Sequence, residues 1–388
     1  MIACAALAMA AGCAGPPISA YVVPLDASVA ARPNRVVFIA SGDATRRLHV
    51  QTIGPSGRRR VVRGFDRYLV ASRKVFAGSD QDPNFTADVE QSGRWIVVGA
   101  RTTRYAYEGG EDFALPSGEV VVAGTARGRV RELQACPGRS SGGIQSLDGS
   151  RLAISSCDGS KLVVRDLARP RARSIEVPMR AISRRPLTDV TLAGGYLAVT
   201  EYGPGGVPDV GLTIRVLRWP SLDPVYTLTG ARVSYSFELA RDGTLVAIRI
   251  PNGEPALAPR PGPPPCLDAM LETVWLSPAE PVAHVLPGTP CEDEVSLHGD
   301  RVLVGRLVAP AAKGDGITDI ALTDLRGAAP RRVLANDTPN FPPAGVRFAA
   351  DGSVEVQREG CGDTLRIEFF RLRRLLAGPP APVRCRSR

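Results

Sequence analysis

The sequence predicts an all-β fold, a β-propeller of seven four-stranded blades. Three observations predict it. Short runs rich in Val, Ile, Leu and Thr alternate with Gly, Pro and Asp turns along the whole chain. Helical spacing is almost absent: only Phe369 to Leu376 holds enough apolar positions for two turns, and that stretch overlaps a strand-like run. A turn followed by a doubly apolar strand recurs near every fifty residues, the period of a propeller or solenoid.

The first blade is read from Val36 to Val62, which holds a second, a third and a fourth strand. Its first strand is expected from Tyr21 to Leu25 or from the C-terminus. Six turns then open six further blades: Ser92-Gly93, Asp148-Gly149, Gly194-Gly195, Asp242-Gly243, Gly299-Asp300 and Asp351-Gly352. Counted from Gly93, Gly149, Gly195, Gly243, Gly299 and Gly352, the spacings are 56, 46, 48, 56 and 53 residues. Tight hairpin turns favour Gly, Asn and Asp because these residues tolerate the left-handed backbone. A second strand follows each turn, as in Arg151-Leu152-Ala153-Ile154. A third follows it, as in Lys161-Leu162-Val163-Val164, and a more polar fourth closes the unit, as in Arg173-Ser174-Ile175-Glu176-Val177. Inner strands covered by neighbours on both faces lose the polar–apolar alternation, which fits these runs. The Pro-rich stretch Pro251 to Pro265 is read as a loop within one blade, because the strand pattern resumes in phase at Thr273. Six blades and eight are the alternative counts.

The chain has 388 residues, 44% of them apolar, enough to bury a large core. No run of eighteen apolar residues exists, so no membrane-spanning helix is expected. The net charge is +9 and rests almost wholly on Arg, since Lys occurs only at Lys74, Lys161 and Lys313. Together with abundant Ala, Gly and Pro, this bias matches a GC-rich coding sequence. Arg58-Arg59-Arg60, Arg184-Arg185 and Arg371 to Arg374 have a phosphate-binding reading. The clusters are short, scattered and free of interleaved aromatics, so solvated surface charge is the preferred one. No nucleic-acid partner is expected.

Residues 1–20 are read as a leader and residues 21–388 as a single propeller domain. Ile2 to Ala11 is a short apolar run. It resembles the hydrophobic region of a secretory signal without the basic start, which places the natural start upstream. Ala10-Ala11-Gly12-Cys13 resembles a bacterial lipobox, with Cys13 as the lipidated residue and Ala10 in the place of the usual Leu. Lipid anchoring and simple secretion both stay open, and a buried N-terminal helix is the remaining alternative. Beyond Cys4 and Cys13, six cysteines fall into sequential neighbours with gaps of 21, 25 and 24 residues. None forms a Cys-x-x-Cys pair, so zinc and thioredoxin chemistry are not favoured. Blade topology places all six on the face opposite the Asp-Gly turns. Three local disulfides are expected there: Cys136–Cys157, Cys266–Cys291 and Cys361–Cys385. Such bonds belong to an oxidising compartment. Buried, unpaired small hydrophobes are the alternative.

Ser146-Leu147-Asp148-Gly149 resembles the Ser-Pro-Asp-Gly repeat of TolB-like, WD-repeat-like β-propellers, and Ala240-Arg241-Asp242-Gly243 and Ala349-Ala350-Asp351-Gly352 are further copies. The repeat's Pro is replaced by Leu147, Arg241 and Ala350. The resemblance implies a propeller of the bacterial cell envelope. It does not imply Tol-Pal function, because TolB carries an N-terminal α/β domain for which this chain has no room.

No pattern for catalysis stands out. His49, His284 and His298 lack metal-ligand spacing and are read as surface or turn residues. Nucleophile-elbow, phosphate-loop and dinucleotide motifs are absent. Ser92-Gly93-Arg94-Trp95 lacks the Asp and the spacing of a sialidase Asp box, so Trp95 is read as core. The acidic stretches Asp80-Gln81-Asp82-Pro83-Asn84, Glu292-Asp293-Glu294 and Asp315 to Asp319 are read as polar loops, with calcium as the competing reading of the first. No cofactor or metal is expected. The preferred function is a non-enzymatic, exported binding or scaffold module at the cell envelope. It would be a monomer with a protein or glycan partner, reaching a membrane only through a lipid on Cys13. The alternative is a lactonase-type propeller hydrolase, with carboxylate and Asn ligands holding a divalent metal at the channel mouth. Acidic or His side chains converging at metal-bonding distance would favour the hydrolase.

Overall fold

A computed structural model of the chain describes residues 16–40, 47–70, 76, 84–108, 111–138, 143–183, 187–202, 212–231, 237–249, 271–287, 292–309, 317–334, 343–378, 380 and 385. The chain is all-β and forms seven four-stranded blades of the β-propeller class.

The N-terminal strand is β1 (Ser19–Pro24). The first blade is β2 (Ser28–Arg32), β3 (Arg35–Ile39), β4 (Val50–Ile53) and β5 (Arg59–Val61). The second is β6 (Asn84–Ser92), β7 (Trp95–Glu108), β8 (Glu111–Thr125) and β9 (Arg131–Pro137). The third is β10 (Gly143–Asp148), β11 (Arg151–Ser155), β12 (Lys161–Asp166) and β13 (Ile175–Pro178), followed by one helical turn, α1 (Met179–Ile182). The fourth is β14 (Leu187–Ala193), β15 (Tyr196–Tyr202), β16 (Leu212–Arg218) and β17 (Pro224–Ala231). The fifth is β18 (Phe237–Leu239), β19 (Leu245–Arg249), β20 (Glu272–Leu276) and β21 (His284–Val285). The sixth is β22 (Glu292–His298), β23 (Arg301–Ala309), β24 (Ile317–Asp324) and β25 (Arg331–Leu334). The seventh is β26 (Pro343–Phe348), β27 (Val354–Glu359) and β28 (Thr364–Phe370), with α2 (Leu372–Leu375) after it. Residues 23–184 form one compact unit holding blades one to three, and residues 1–22 with 185–388 form a second holding blades four to seven.

Two assignments differ from the sequence expectation. The first strand of blade one is Ser28–Arg32, and not Tyr21 to Leu25 or a C-terminal segment. That strand is built from small residues, and its turn at Pro33-Asn34 has no positive-φ residue, so a search for turn glycines passes over it. β1 instead becomes the fourth strand of blade seven, beside β28. After Phe370 the chain turns into α2, which leaves the outer edge of β28 open for it. Ile18 N–H donates to the Phe369 carbonyl at 2.6 Å, and Tyr21 packs edge-on against Phe369 at 6.2 Å.

The six turn glycines all carry left-handed φ values, between 56° at Gly93 and 88° at Gly243. In the Gly194-Gly195 turn it is Gly194 that needs this backbone, at φ 57°. A Cβ there would sit 2.0 Å from the Arg241 carbonyl oxygen. The turns fall into two geometries. Those at Gly93, Gly149, Gly194 and Gly299 are two-residue hairpins. Those at Gly243 and Gly352 are wider, closed by Ala240 N–H to the Thr244 carbonyl and Ala349 N–H to the Ser353 carbonyl, each at 2.8 Å. In both wide turns the Asp side chain accepts the N–H two residues on, from Thr244 at 2.9 Å and from Ser353 at 3.1 Å. Thus Ser146 to Gly149, the fullest match to the four-residue repeat, is a tight hairpin, and the two poorer matches share the Asp-braced turn.

The middle strands of each blade are buried on both faces. Val36, Val37 and Phe38 of β3 are fully buried, as are Leu245, Val246, Ala247 and Ile248 of β19. Several charged residues on these strands are paired: Arg215 with Glu201 at 3.1 Å, Arg249 with Glu272 at 2.5 Å, and Arg358 with Glu368. The last pair is buried on both sides, and Arg366 adds a second contact to Glu368 at 2.7 Å. Burial lowers the pKa of Arg358, and Glu368 works against that shift. Replacing Glu368 by Ala leaves Arg358 buried without its counter-ion. A loss of about 3–5 kcal/mol is expected in denaturant unfolding.

Two of the three expected disulfides fall among the described residues, and both are formed. Cys136–Cys157 has a Cα separation of 5.2 Å and Cys361–Cys385 of 5.4 Å. Cys136 lies within β9, so its bond ties the outer strand of blade two to the β11–β12 loop of blade three. Cys361–Cys385 ties the C-terminal tail to the β27–β28 loop. Cys13, Cys266 and Cys291 lie outside the described residues. Non-reducing peptide mapping should recover both local pairs. Replacing Cys136 and Cys157 together by Ser should cost about 3 kcal/mol of stability for a loop of this length.

Candidate functional site

In an antiparallel blade the first strand lies innermost, and its side chains alternate between the neighbouring blade and the axial side. In the four-blade unit the first strands β18, β22 and β26 carry a polar residue just ahead of an apolar one: Glu238-Leu239, Ser296-Leu297 and Arg347-Phe348. Each polar residue engages a neighbour. Leu297 N–H donates to Glu238 Oε2 at 2.6 Å, and Phe348 N–H donates to Ser296 Oγ at 2.8 Å. The side chain of one first strand thereby holds the backbone of the next. In the three-blade unit Val89 N–H donates to Ser28 Oγ at 3.1 Å in the same way.

Arg347 ends this series and forms the centre of the candidate site. Its guanidinium grips Glu355 on β27 with two bonds, Nε to Oε2 at 3.2 Å and Nη2 to Oε1 at 3.1 Å. Glu355 is buried, whereas the Arg347 side chain is 54% exposed. Gln357 Nε2 also donates to Glu355 Oε1 at 2.6 Å, which fixes the carboxylate from a second side. Partial loss of hydration among the surrounding strands acts to lower the Arg347 pKa, but Glu355, Glu238 and Glu294 outweigh it and the pKa is raised. Burial pushes the Glu238 carboxyl up, against the Leu297 N–H, the Ser296 hydroxyl and Arg347. The result is a fixed, solvent-facing guanidinium surrounded by carboxylates from three blades. Such a group recognises a polar partner by directed hydrogen bonds.

The three-blade unit holds a second buried carboxyl. Glu119 on β8 is 6% exposed, between Arg101 on β7 and Cys136 on β9. Gly143 on β10 of the next blade covers it, where a Cβ would lie 2.9 Å from Glu119 Oε1. Glu119 Oε2 has no hydrogen-bond partner among the described residues. Burial raises its pKa to about 8; Arg101 opposes this and Asp88 adds to it. The group is therefore mostly a neutral acid at pH 7.

The residues weighed in the sequence stand elsewhere. His49 contacts Asp66 at 3.2 Å. His284 stacks on Trp275 at 4.6 Å and meets Glu280 at 3.0 Å. His298 lies against Phe348 at 5.8 Å. Trp95 is partly buried beneath Arg94, which sits 5.0 Å over its ring. Asp319 is buried and pairs with Arg332 at 2.9 Å. Of the acidic stretches, 80–83, Asp315-Gly316 and the side chains of Glu292 and Asp293 lie outside the described residues, and Glu294 reaches the site through its field at Arg347. Among the described residues no three His, Cys, Asp or Glu side chains converge as metal ligands. The sequence reading missed Glu238, Ser296, Arg347 and Glu355. No shared spacing marks the first three: Glu238 and Arg347 stand five residues before Gly243 and Gly352, and Ser296 stands three before Gly299.

Solved structures share the fold. A chain from a study of two prolyl endopeptidases superposes with TM-score 0.54 at 13% identity, over 95% of this chain and 49% of that one. The acylaminoacyl peptidase of Pyrococcus horikoshii gives 0.50 at 12% identity, over 75% and 46%. The β-propeller domain of the Trilobed protease from Pyrococcus furiosus gives 0.49 at 13%, over 75% and 82%. This chain spans about half the length of the first two peptidase chains. At these identities the first two likenesses show the fold alone. No family model matches the sequence, and no curated protein matches it.

The Glu119 environment fixes a pH dependence. The folded state holds a proton there above the pKa of about 4.3 expected for the unfolded chain. Stability should therefore fall as pH rises from that value through about 8. Glu119→Gln removes this loss. Its advantage over the wild type in thermal unfolding should be small at pH 5 and reach a few kcal/mol at pH 9.

Proposed function

We propose that this chain is an exported, non-enzymatic β-propeller that acts as a binding or scaffold module at the cell envelope. Residues 21–388 serve as the binding domain, and residues 1–20 as the leader, with Cys13 as the point of lipid attachment. The observation that carries the binding role is the Arg347 constellation. It holds one exposed guanidinium in a fixed orientation with Glu355, Glu238 and Glu294 around it, which suits a protein or glycan rich in hydrogen-bonding groups. Two disulfides support a location outside the reducing cytoplasm. No helix among the described residues is long and apolar enough to cross a membrane.

The test is expression behind a restored secretory leader, followed by cross-linking of intact cells. An adduct in the envelope fraction is expected. Arg347→Lys keeps the charge but loses the two-pronged grip, and should weaken the adduct by about tenfold or more. Recovery in the cytoplasm with free thiols would overturn export. Metal-dependent turnover of lactone or aryl-ester substrates by the purified protein would establish the hydrolase instead.

A further inference from the structure

In the three-blade unit, two kinds of connection share one face: the turns between first and second strands, and the loops between third and fourth strands. Their contacts show them side by side. Arg35 Nη2 donates to the Gly93 carbonyl at 3.2 Å, Gly149 N–H donates to Ser92 Oγ at 2.8 Å, and Arg131 Nη2 donates to the Leu167 carbonyl at 3.1 Å. These connections carry Arg58 after β4, Arg94 after β6, Arg127 and Arg129 after β8, and Arg169, Arg171 and Arg173 after β12. All seven are exposed, and none of the connections contains Asp or Glu. The nearest carboxylates are occupied: Asp148 pairs with Arg151 at 2.6 Å, and Asp166 accepts the Ser150 hydroxyl at 2.7 Å. Arg58, Arg127, Arg129 and Arg171 have no ion-pair partner among the described residues.

Coding bias does not account for this. The equivalent connections of the four-blade unit, from the same sequence, carry Asp223, Asp242, Glu280, Asp300 and Asp351 against Arg241 and Arg326, and the segment after β28 adds Arg371, Arg373 and Arg374. Positive charge without interspersed carboxylates is therefore the mark of the three-blade unit's connections. Exposed apolar residues adjoin it: Val61 just after Arg58 to Arg60, and Ile175 just after Arg173. The loops at 54–58, 126–130 and 167–174 contain no aromatic residue on which bases would stack.

We propose that this Arg-bearing face binds a membrane surface of anionic phospholipids, through their phosphates. The inference rests on the cell-envelope reading and adds a second attachment to the one at Cys13. Guanidinium groups pair with phosphate oxygens, and flanking Val61 and Ile175 enter the headgroup boundary.

The experiment uses the full chain with Cys13→Ser, so that no lipid contributes. Sedimentation with vesicles of phosphatidylcholine, alone and mixed with phosphatidylglycerol, measures partitioning at low and high salt. Binding only to the mixed vesicles, and lost at high salt, is expected. Arg58→Ser/Arg127→Ser/Arg129→Ser should lower partitioning about a hundredfold with unchanged thermal unfolding. Arg180→Ser, in α1 outside these connections, should leave it unchanged. Equal binding to neutral vesicles, insensitivity to the triple variant, or preference for a DNA duplex or an acidic polysaccharide over the vesicles would overturn the inference. Vesicle binding that fails while the Arg347-dependent envelope adduct persists removes this inference alone. Loss of the adduct with vesicle binding intact removes the partner site alone.

Discussion

The fold depends on one constraint: the middle strands of a blade are covered on both faces, so a polar group there needs a partner inside the protein or, like Glu119, a shift toward its neutral form. An unpaired polar group buried in this way costs free energy that a marginally stable domain cannot spare. The structure answers in two ways. On first strands, Ser28, Glu238 and Ser296 accept a backbone N–H from the next blade. On second and third strands, carboxylates meet Arg across the sheet, as in Glu201–Arg215 and Glu272–Arg249. Both devices also fix register, because slipping a strand by one residue would move each polar group to the wrong face.

This constraint explains what the sequence made legible. A turn that must reverse within two residues demands a left-handed backbone, and Gly93, Gly149, Gly194 and Gly299 announce it. Doubly buried strands such as Leu245 to Ile248 announce themselves as unbroken apolar runs. Blade one opens on Pro33-Asn34, a turn without positive φ, and its first strand left no comparable mark. The role of β1 was hidden for a different reason. Its partner β28 lies at the other end of the chain, and no local pattern reports a pairing of that span.

The candidate site was less legible because it is assembled from single residues on separate strands. Glu238, Ser296 and Arg347 each sit in an ordinary first strand, and nothing in their spacing singles them out. Only the packing of β18, β22 and β26 brings their groups together. The cysteines are the contrary case. Their partners are local in sequence, so strand order alone sufficed to pair Cys136 with Cys157 and Cys361 with Cys385.

The two kinds of connection carry different burdens, and this separates stability from surface chemistry. The β11–β12 and β27–β28 loops and the chain's end hold the disulfides, where covalent closure restrains ends that would otherwise fray. The turn-side connections are held by backbone geometry and by hydrogen bonds such as that of Arg131 to the Leu167 carbonyl. Their outward side chains are not needed for packing, so substitutions there cost the fold little. Charge placed on such positions can follow the demands of a partner without disturbing the blades beneath. Blade packing does not require the Arg enrichment of the three-blade unit, whose acid-free turns contrast with the mixed turns of blades four to seven.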